Sequence, residues 1–475
     1  MTTTIVWFRR DLRLADNPAL TAALESGGTL IPVYLHDPED ETGSAARAWL
    51  QHSLKSLAMG LERLGSRLLL RTGKPADLLE ALIMQTGATA VHWNRQYEPA
   101  SIRRDTVIKS RLRSLGIEVQ SHHASLLHEP WHLQTATGSP YRVYTPFSKA
   151  ALKAGVRPGV LPSPAVLPPV PADPDGVSLE ALNLQPRLNW DQRFYLGGFP
   201  GEETAHTRLQ AFVNAHLDQY DEARNFPDRT STSALSPHLA FGEISPGQIM
   251  AALPENTPGK GQTVFVKELL WREFAYHLLY HYPETVDRPL DRRFEAFAWA
   301  EDHDDALKAW QRGMTGIPLV DAGMRELWAT GWMHNRVRMV VASFLSKNLL
   351  IPWQRGAAWF MDTLTDADLA NNTLGWQWVA GCGADAAPYF RVFNPVLQAQ
   401  RFDPEGRYIR QWIPELARLP DTWLPQPWNA PAEQLSQAGI HLGQDYPLPL
   451  VDLHASRQRA LETFQAVGKP TDPAG

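Results

Sequence analysis

The chain has 475 residues, of which 44% are hydrophobic and 20% charged, enough for a sizeable core and, by length, for two domains. Its single cysteine, Cys382, excludes an internal disulfide framework, a four-cysteine zinc site and a cysteine-ligated iron–sulfur cluster, and it fits a reducing cytoplasm. The net charge of −6 argues against an indiscriminate polyanion binder yet leaves room for a local basic patch.

The opening MTTTIVWFRRDLRLAD carries an arginine pair, but charged residues follow where an export signal needs an apolar stretch of about 7–15 residues. No apolar run of about 20 residues occurs, so no membrane partner is expected. Short apolar or β-branched runs, TTIVWF, LIPVYL, RLLLR, TAVHWN and IEVQS, alternate with helical patterns over 17–26, 45–64, 75–86 and 100–115. Pro75 stands where a proline suits a helix start. This alternation predicts a parallel sheet covered on both faces, a Rossmann-like α/β domain over 1–128. The run RPGVLPSPAVLPPVPADPDG can form neither a helix interior nor a central strand, so 129–200 reads as a proline-rich interdomain linker. Beyond it, amphipathic patterns over 202–222, 262–282, 304–312, 318–330, 333–350 and 353–363 predict a mostly α-helical domain over 201–475.

In KELLWREFAYHLLYH, Glu268, Trp271 and Arg272 stand at i, i+3 and i+4 and share one helix face. Alone, that spacing also describes an amphipathic helix with a surface ion pair. In GWMHNRVRMVVASFLSKNLL, Asn335, Arg338 and Met339 share a face, with His334 and Arg336 flanking and no acidic residue between Leu327 and Met361. Arginines among Met, Val and Phe cannot all be solvated, and a buried one needs a partner. Asp366 and Asp368, in LTDADLANNTLGWQWVAG, are the candidates. Clustered carboxylates can hold a hard cation, but their neighbours here are Asn and Trp rather than further acids, so no metal is expected. The hydroxyls Thr230 to Ser233 in RTSTSALSPHLAFGEIS either cap the following helix or, with its free N–H groups, cradle phosphate. GCGADA at 381–386 matches the dinucleotide fingerprint formally but has no preceding strand. Tryptophan is frequent, at 17 residues; most belong in a core, though an indole can also stack on a base or pass an electron.

Together, VWFRRDLRLADNPAL, TSALSPHLAFGEIS, ELLWREFAYHL, TGIPLVDAGMRELWATGWMHNRVRMVVASFL and DADLANNTLGWQWVAGCGADAAPYFRVFNP closely resemble the DNA photolyase and cryptochrome family, over nearly the whole chain and most strongly from about 205 to 410. Within it they look most like class I cyclobutane pyrimidine dimer photolyases. The resemblance implies FAD, active in its reduced anionic form, in the helical domain. Tyr220, Thr232, Ser233, Leu235 and Ser236 match phosphate and ribityl contacts, with Ala234 and Arg272 in the same cofactor set. Arg338 and Asp366 match an ion pair beside the isoalloxazine, Asp368 a further polar contact and Asn372 the amide facing flavin N5. Trp376, Trp353 and Trp299 match a chain that carries an electron inward during photoreduction. The implied partner is UV-damaged DNA bound by a monomer. Trp271 and Trp378 would receive a flipped dimer on their faces, Glu268 and Asn335 would bond base edges, and Met339 would pack on the ring. Arg224, Arg336 and Arg391 match phosphate contacts.

The alternative is a cryptochrome-type blue-light receptor. Plant-type members typically have a smaller residue at the position of Met339 and an acid at that of Asn372, whereas this chain keeps Met and Asn. Animal-type 6–4 photolyases carry histidines in the substrate pocket, where this chain has MHNRVRM. Folate-using relatives usually show Asn-Glu shortly after the QYE motif; Ala100 and Ser101 occupy those places here. That departure makes folate a doubtful second antenna chromophore and leaves a deazaflavin, a second flavin or an empty site as the alternatives.

Overall fold

The computed structural model describes residues 2–40, 42–155, 159–170, 173, 175–255, 258–386 and 390–467. Parts of the proline-rich run (157–158, 171–172 and 174) and residues 387–389 of the motif ending in YFRVFNP lie outside the described residues. The first domain alternates β1 (Thr3–Phe8), α1 (Pro18–Glu25), β2 (Thr29–His36), α2 (Ser44–Arg63), β3 (Leu69–Thr72), α3 (Pro75–Thr86), β4 (Ala90–Asn94), α4 (Pro99–Ser114) and β5 (Glu118–His122). The strands form a parallel sheet in the order β3-β2-β1-β4-β5. Ile5 and Trp7 enter one core with Ile31, Val33, Val91 and Trp93. Val6 and Phe8 point the other way, into a core that continues through Leu54 and Phe241 to Leu319 and Trp310 of the helical part. Period-two alternation thus buries both faces, as a parallel sheet requires. Pro32 fits in a central strand because it precedes the first β2–β3 pair, Val33↔Leu69, and faces Val6 of β1 alone.

The stretch expected to be only a linker contains α5 (Tyr144–Ala154), which packs through Phe147 on Phe274. The remaining helices are α6 (Glu202–Ala215), α7 (Tyr220–Ala223), α8 (Ser236–Ala240), α9 (Pro246–Ala252), α10 (Lys260–His281), α11 (Asp304–Gln311), α12 (Pro318–Thr330), α13 (Asn335–Ser343), α14 (Trp353–Thr363), α15 (Leu369–Ala380), α16 (Pro395–Phe402), α17 (Arg407–Trp412), α18 (Ala432–Ala438) and α19 (Leu453–Ala466). The expected 202–222 helix is interrupted by a 3-10 turn, Leu217–Gln219. α10 comes so close there that a Cβ on Gly261 would stand 1.9 Å from Leu217 O. The 333–350 pattern resolves into α13 followed by a π turn, Phe344–Asn348.

In an open α/β sheet, ligands favour the crevice where strand order reverses. Here that point, at the ends of β1 and β4, carries a hydrogen-bonded cluster of side chains. Asn94 Nδ2 donates to Asp11 Oδ2 (2.6 Å) and Asn17 Oδ1 (2.7 Å). The chain leaving β1 then docks on the helical domain through Leu12 N to Phe241 O (3.1 Å) and Arg13 Nη1 to Gly242 O (2.9 Å). Gly242 is required at this seam: its φ is 65°, and a Cβ would lie 2.2 Å from Arg10 O. Glu243 completes the seam from full burial, accepting from Trp49 Nε1 (3.0 Å) and Gly201 N (2.9 Å) and contacting Ser53 and His238. The sheet therefore braces the helical domain and leaves the large cavity to the helices.

Candidate flavin and DNA site

α10, α13 and α15, with the α7–α8 segment and the loop after α14, surround a cavity of about 550 Å³. That size and its mixed lining suit a small-molecule or cofactor site. α10 contributes Glu268, Trp271 and Arg272, one helical face, as expected from their spacing. α13 contributes Asn335, Arg338 and Met339; α15 contributes Asn372, Trp376 and Trp378. Tyr220, Arg224, Ser233, Leu235, Ser236, Asp366 and Asp368 complete the expected residues on its wall. Thr232 and Ala234 belong to the same segment without lining the cavity, and Ala234 has the unusual φ of 48°.

The charges are arranged in pairs. Arg338 Nη2 donates to Asp366 Oδ2 (2.8 Å) and Arg338 Nε to Met333 O (2.7 Å). Asp366 Oδ1 is buried without a hydrogen-bond partner, as is Trp376 Nε1. Buried polar atoms are almost always satisfied, so these two on a cavity wall fit a polar ligand. Asp368, the other proposed arginine partner, forms no direct ion pair among the described residues, though its charge acts on Arg10. It caps α15 at Asn371 N (2.9 Å) and accepts from Tyr276, whose phenol pKa is pushed up by burial and then by the Asp368 charge. Asn372 Nδ2 donates to Ala357 O (3.0 Å), which fixes the amide and leaves its oxygen for a ligand. The hydroxyls before α8 do not cap it: the N-cap is Leu235, with no side-chain bond, and Ser231 donates instead to Ala223 O (2.8 Å).

Glu268 does not pair with Arg272 on its own helix. It pairs with Arg224 of the α7 segment, while Arg272 Nη1 donates to Ser125 O (2.8 Å). Arg224 also lies 5.3 Å over the Tyr220 ring. His334, at the N-cap of α13, is held down to about 4 by burial and by Arg336 and Arg338, so it is neutral at neutral pH. Behind it, burial pushes Glu326 up to about 7 although Tyr408 Oη donates to it (2.6 Å).

Arg336 and Arg391 face a second, open cavity of about 540 Å³, separated from the first at the opening turn of α13. Arg401 and Arg457 also line it, together with Asn225, Asn394 and Gln398 but no carboxylate. Arg336 lies 4.4 Å over Phe402, and its pKa is lowered by burial and by Arg224 and Arg401. Cations gathered this way favour an incoming phosphate backbone. Sequence reading missed Arg401 and Arg457, exposed side chains on two separate helices, α16 and α19.

The three candidate relay tryptophans differ in exposure. Trp376 and Trp353 are 2% exposed, whereas Trp299 is partly exposed. Trp376 packs against α14 so closely that a Cβ on Gly356 would lie 2.1 Å from its Cη2, one turn from Trp353 at the start of that helix. Next to Trp299, Ala300 N donates to Leu350 O (2.8 Å) just before α14.

Residues 4–172 match the family model described as DNA photolyase, and 265–466 match the FAD binding domain of DNA photolyase. A deoxyribodipyrimidine photo-lyase of Agrobacterium fabrum is 47% identical over 98% of both chains. Cryptochrome-2 of Arabidopsis thaliana is 41% identical over 96% of this chain and 77% of its own. The crystal structure of a bacterial class III photolyase from Agrobacterium tumefaciens superposes with a TM-score of 0.94 at 46% identity, covering 98% of both chains. The motifs look most like class I, yet this strongly similar solved structure bears a class III name. The chain belongs to the DNA photolyase and cryptochrome family, with an N-terminal α/β domain and a helical FAD-binding domain.

Proposed function

We propose that this protein is a light-dependent DNA repair enzyme that binds FAD in the large cavity and splits a cyclobutane pyrimidine dimer flipped out of the duplex. The carrying observation is that two residue sets share one space: Arg338, Asp366 and Asn372 on the cofactor side, and Glu268, Trp271, Asn335, Met339 and Trp378 where bases would enter. The photo-lyase name of a relative 47% identical over nearly the full chain supports the same reading. Flavin held there by Arg338, Asp366 and Asn372 would supply the photoexcited electron that opens the cyclobutane ring and would take it back, with no net redox change.

The protein's part is placement and electrostatics. Arg338 brings a positive charge near an anionic ring, and Asp366 holds that guanidinium in place. Asn372 adds no charge; a carboxylate about 4 Å from the ring would oppose the anion by roughly 4 kcal/mol at an effective dielectric near 20. Trp376, Trp353 and Trp299 serve as the route by which the cofactor is reduced in light. Trp271 and Trp378 offer indole faces to the lesion, whose flipping costs less than that of an intact pair because its stacking is already disrupted. Arrival of DNA separates Glu268 from Arg224, the carboxylate turning to a base edge and the guanidinium to a phosphate. Arg336, Arg391, Arg401 and Arg457 take the neighbouring backbone. A second, light-gathering chromophore of unassigned identity on the α/β domain belongs to this proposal, with the folate motif incomplete. Ala100 and Ser101, in the first turn of α4, offer no amide or carboxylate side chain there.

A photoreceptor role is the second reading, favoured by the likeness to Cryptochrome-2. FAD-loaded protein, an oligonucleotide with one thymine dimer, and blue light against darkness decide between them. Repair only in light supports the enzyme; a light-driven spectral change with the dimer intact supports the receptor.

A further inference from the structure

Trp271 has only one free face. Its other face is covered by Tyr144, with ring centroids 3.7 Å apart and planes within 3°. Tyr144 opens α5, within the stretch that the sequence presents as linker, and it is only 8% exposed. Its hydroxyl donates to Lys267 O (2.8 Å), one turn before Trp271 on α10, so the ring is anchored to the helix whose indole it covers. Phe274 meets both rings edge-on, each at 5.9 Å.

The same residue reaches the second indole. The Asp385 carboxylate lies close enough to the Tyr144 backbone for its pKa to be held down by it against the upward push of burial, and Asp385 O accepts from Trp378 Nε1 (3.1 Å). Asp385 has a φ of 53°, a conformation that a non-glycine residue holds only when its surroundings enforce it. Trp271 and Trp378 lie 107 positions apart in sequence yet meet the same brace.

We propose that Tyr144 is a positioning residue for the lesion pocket: its ring locks the Trp271 face and its backbone ties that face to the Trp378 loop, setting the gap that a dimer must fit. This rests on the repair reading above. A preset gap favours two adjacent pyrimidines rigidly joined by covalent bonds over two separate flipped bases, because the ordering cost is met before binding. The residue therefore acts on discrimination between damaged and undamaged DNA, not on the flavin.

Tyr144→Leu removes the ring and Tyr144→Phe keeps it. Aromatic stacking is worth enough that losing it should cut the ratio of undamaged to dimer-containing Kd by roughly 3- to 10-fold. We expect this in Tyr144→Leu, with FAD stoichiometry and light-driven flavin reduction as in the wild type, and near wild-type discrimination in Tyr144→Phe. Unchanged discrimination in Tyr144→Leu overturns the proposal. So does equal damage in both variants, or loss of FAD along with discrimination, which would mark an ordinary core ring. A wild-type protein that neither discriminates nor repairs overturns the repair reading and this one with it; a wild type that repairs beside an unaffected Tyr144→Leu overturns this one alone.

Discussion

Replacing Glu268 with Gln should strengthen the salt dependence of binding to intact DNA while weakening repair. Glu268 and Arg224 form an ion pair whose side chains are 33% and 20% exposed. Water screens such a pair, so its worth to the folded protein is about 1 kcal/mol or less, and the fold should tolerate its loss. Arg224 keeps its place over the Tyr220 ring, 5.3 Å from the centroid, and gains freedom to meet a phosphate in every encounter. One added phosphate contact steepens the slope of log affinity against log salt by about 0.9, an extra loss of about 3.5-fold between 50 and 200 mM. The assay is equilibrium binding of dimer-containing and intact duplex in darkness over that salt range, followed by repair yield per absorbed photon. Glu268→Gln should show the steeper slope on intact duplex but not on the lesion, where Arg224 already meets a phosphate in the wild type, and a lower repair yield, with FAD still bound. An unchanged slope on intact duplex would show that Arg224 is not a phosphate contact held in reserve, and an unchanged yield would remove Glu268 from the base edge.

Trp299→Phe should block light-driven reduction of the flavin but spare repair by protein reduced chemically; loss of both in the two-condition assay would contradict the relay. Gly356→Ala places a Cβ within 2.1 Å of Trp376 Cη2, an overpacking that should cost about 1–3 kcal/mol. It should also slow photoreduction by displacing the indole, read by denaturant melts and flash absorption. Glu326, raised to about 7 by burial, holds a proton in the folded state between about pH 4.5 and 7 that the unfolded chain has released. That proton's stabilisation is fully present below about 4.5 and lost as pH rises through 7. Wild type should accordingly fall behind Glu326→Gln over that window by on the order of 3 kcal/mol. Parallel stability curves would refute the buried carboxyl's cost.

The strands were legible because a sheet buried on both faces writes apolar runs, and the relations confined to one helix, such as Glu268, Trp271 and Arg272, followed from spacing. α15 (Leu369–Ala380) was hidden because Asn371, Asn372 and Gly375 line the cavity, so its inner face does not look hydrophobic. α5 (Tyr144–Ala154) was hidden by the prolines that follow it. The Arg338–Asp366 pair could be read from an acid-free basic stretch facing a lone pair of aspartates. Nothing local announced that Glu268 would choose Arg224 over Arg272, or that Arg401 and Arg457 would join Arg336. Those partners are set by packing between distant helices, and the choice is made by geometry that no short window contains.

Gly375 gives the most direct test of the central claim that the helical cavity is the FAD site. It lines that cavity, and a Cβ added there meets no atom within 4 Å, so Gly375→Phe should fill the space without straining the apoprotein. Reconstitution followed by absorbance should give one FAD per wild-type chain and little or none in Gly375→Phe at an undiminished melting temperature of the apo forms. A Gly375→Phe protein that holds FAD as tightly as the wild type would place the cofactor elsewhere and contradict the account.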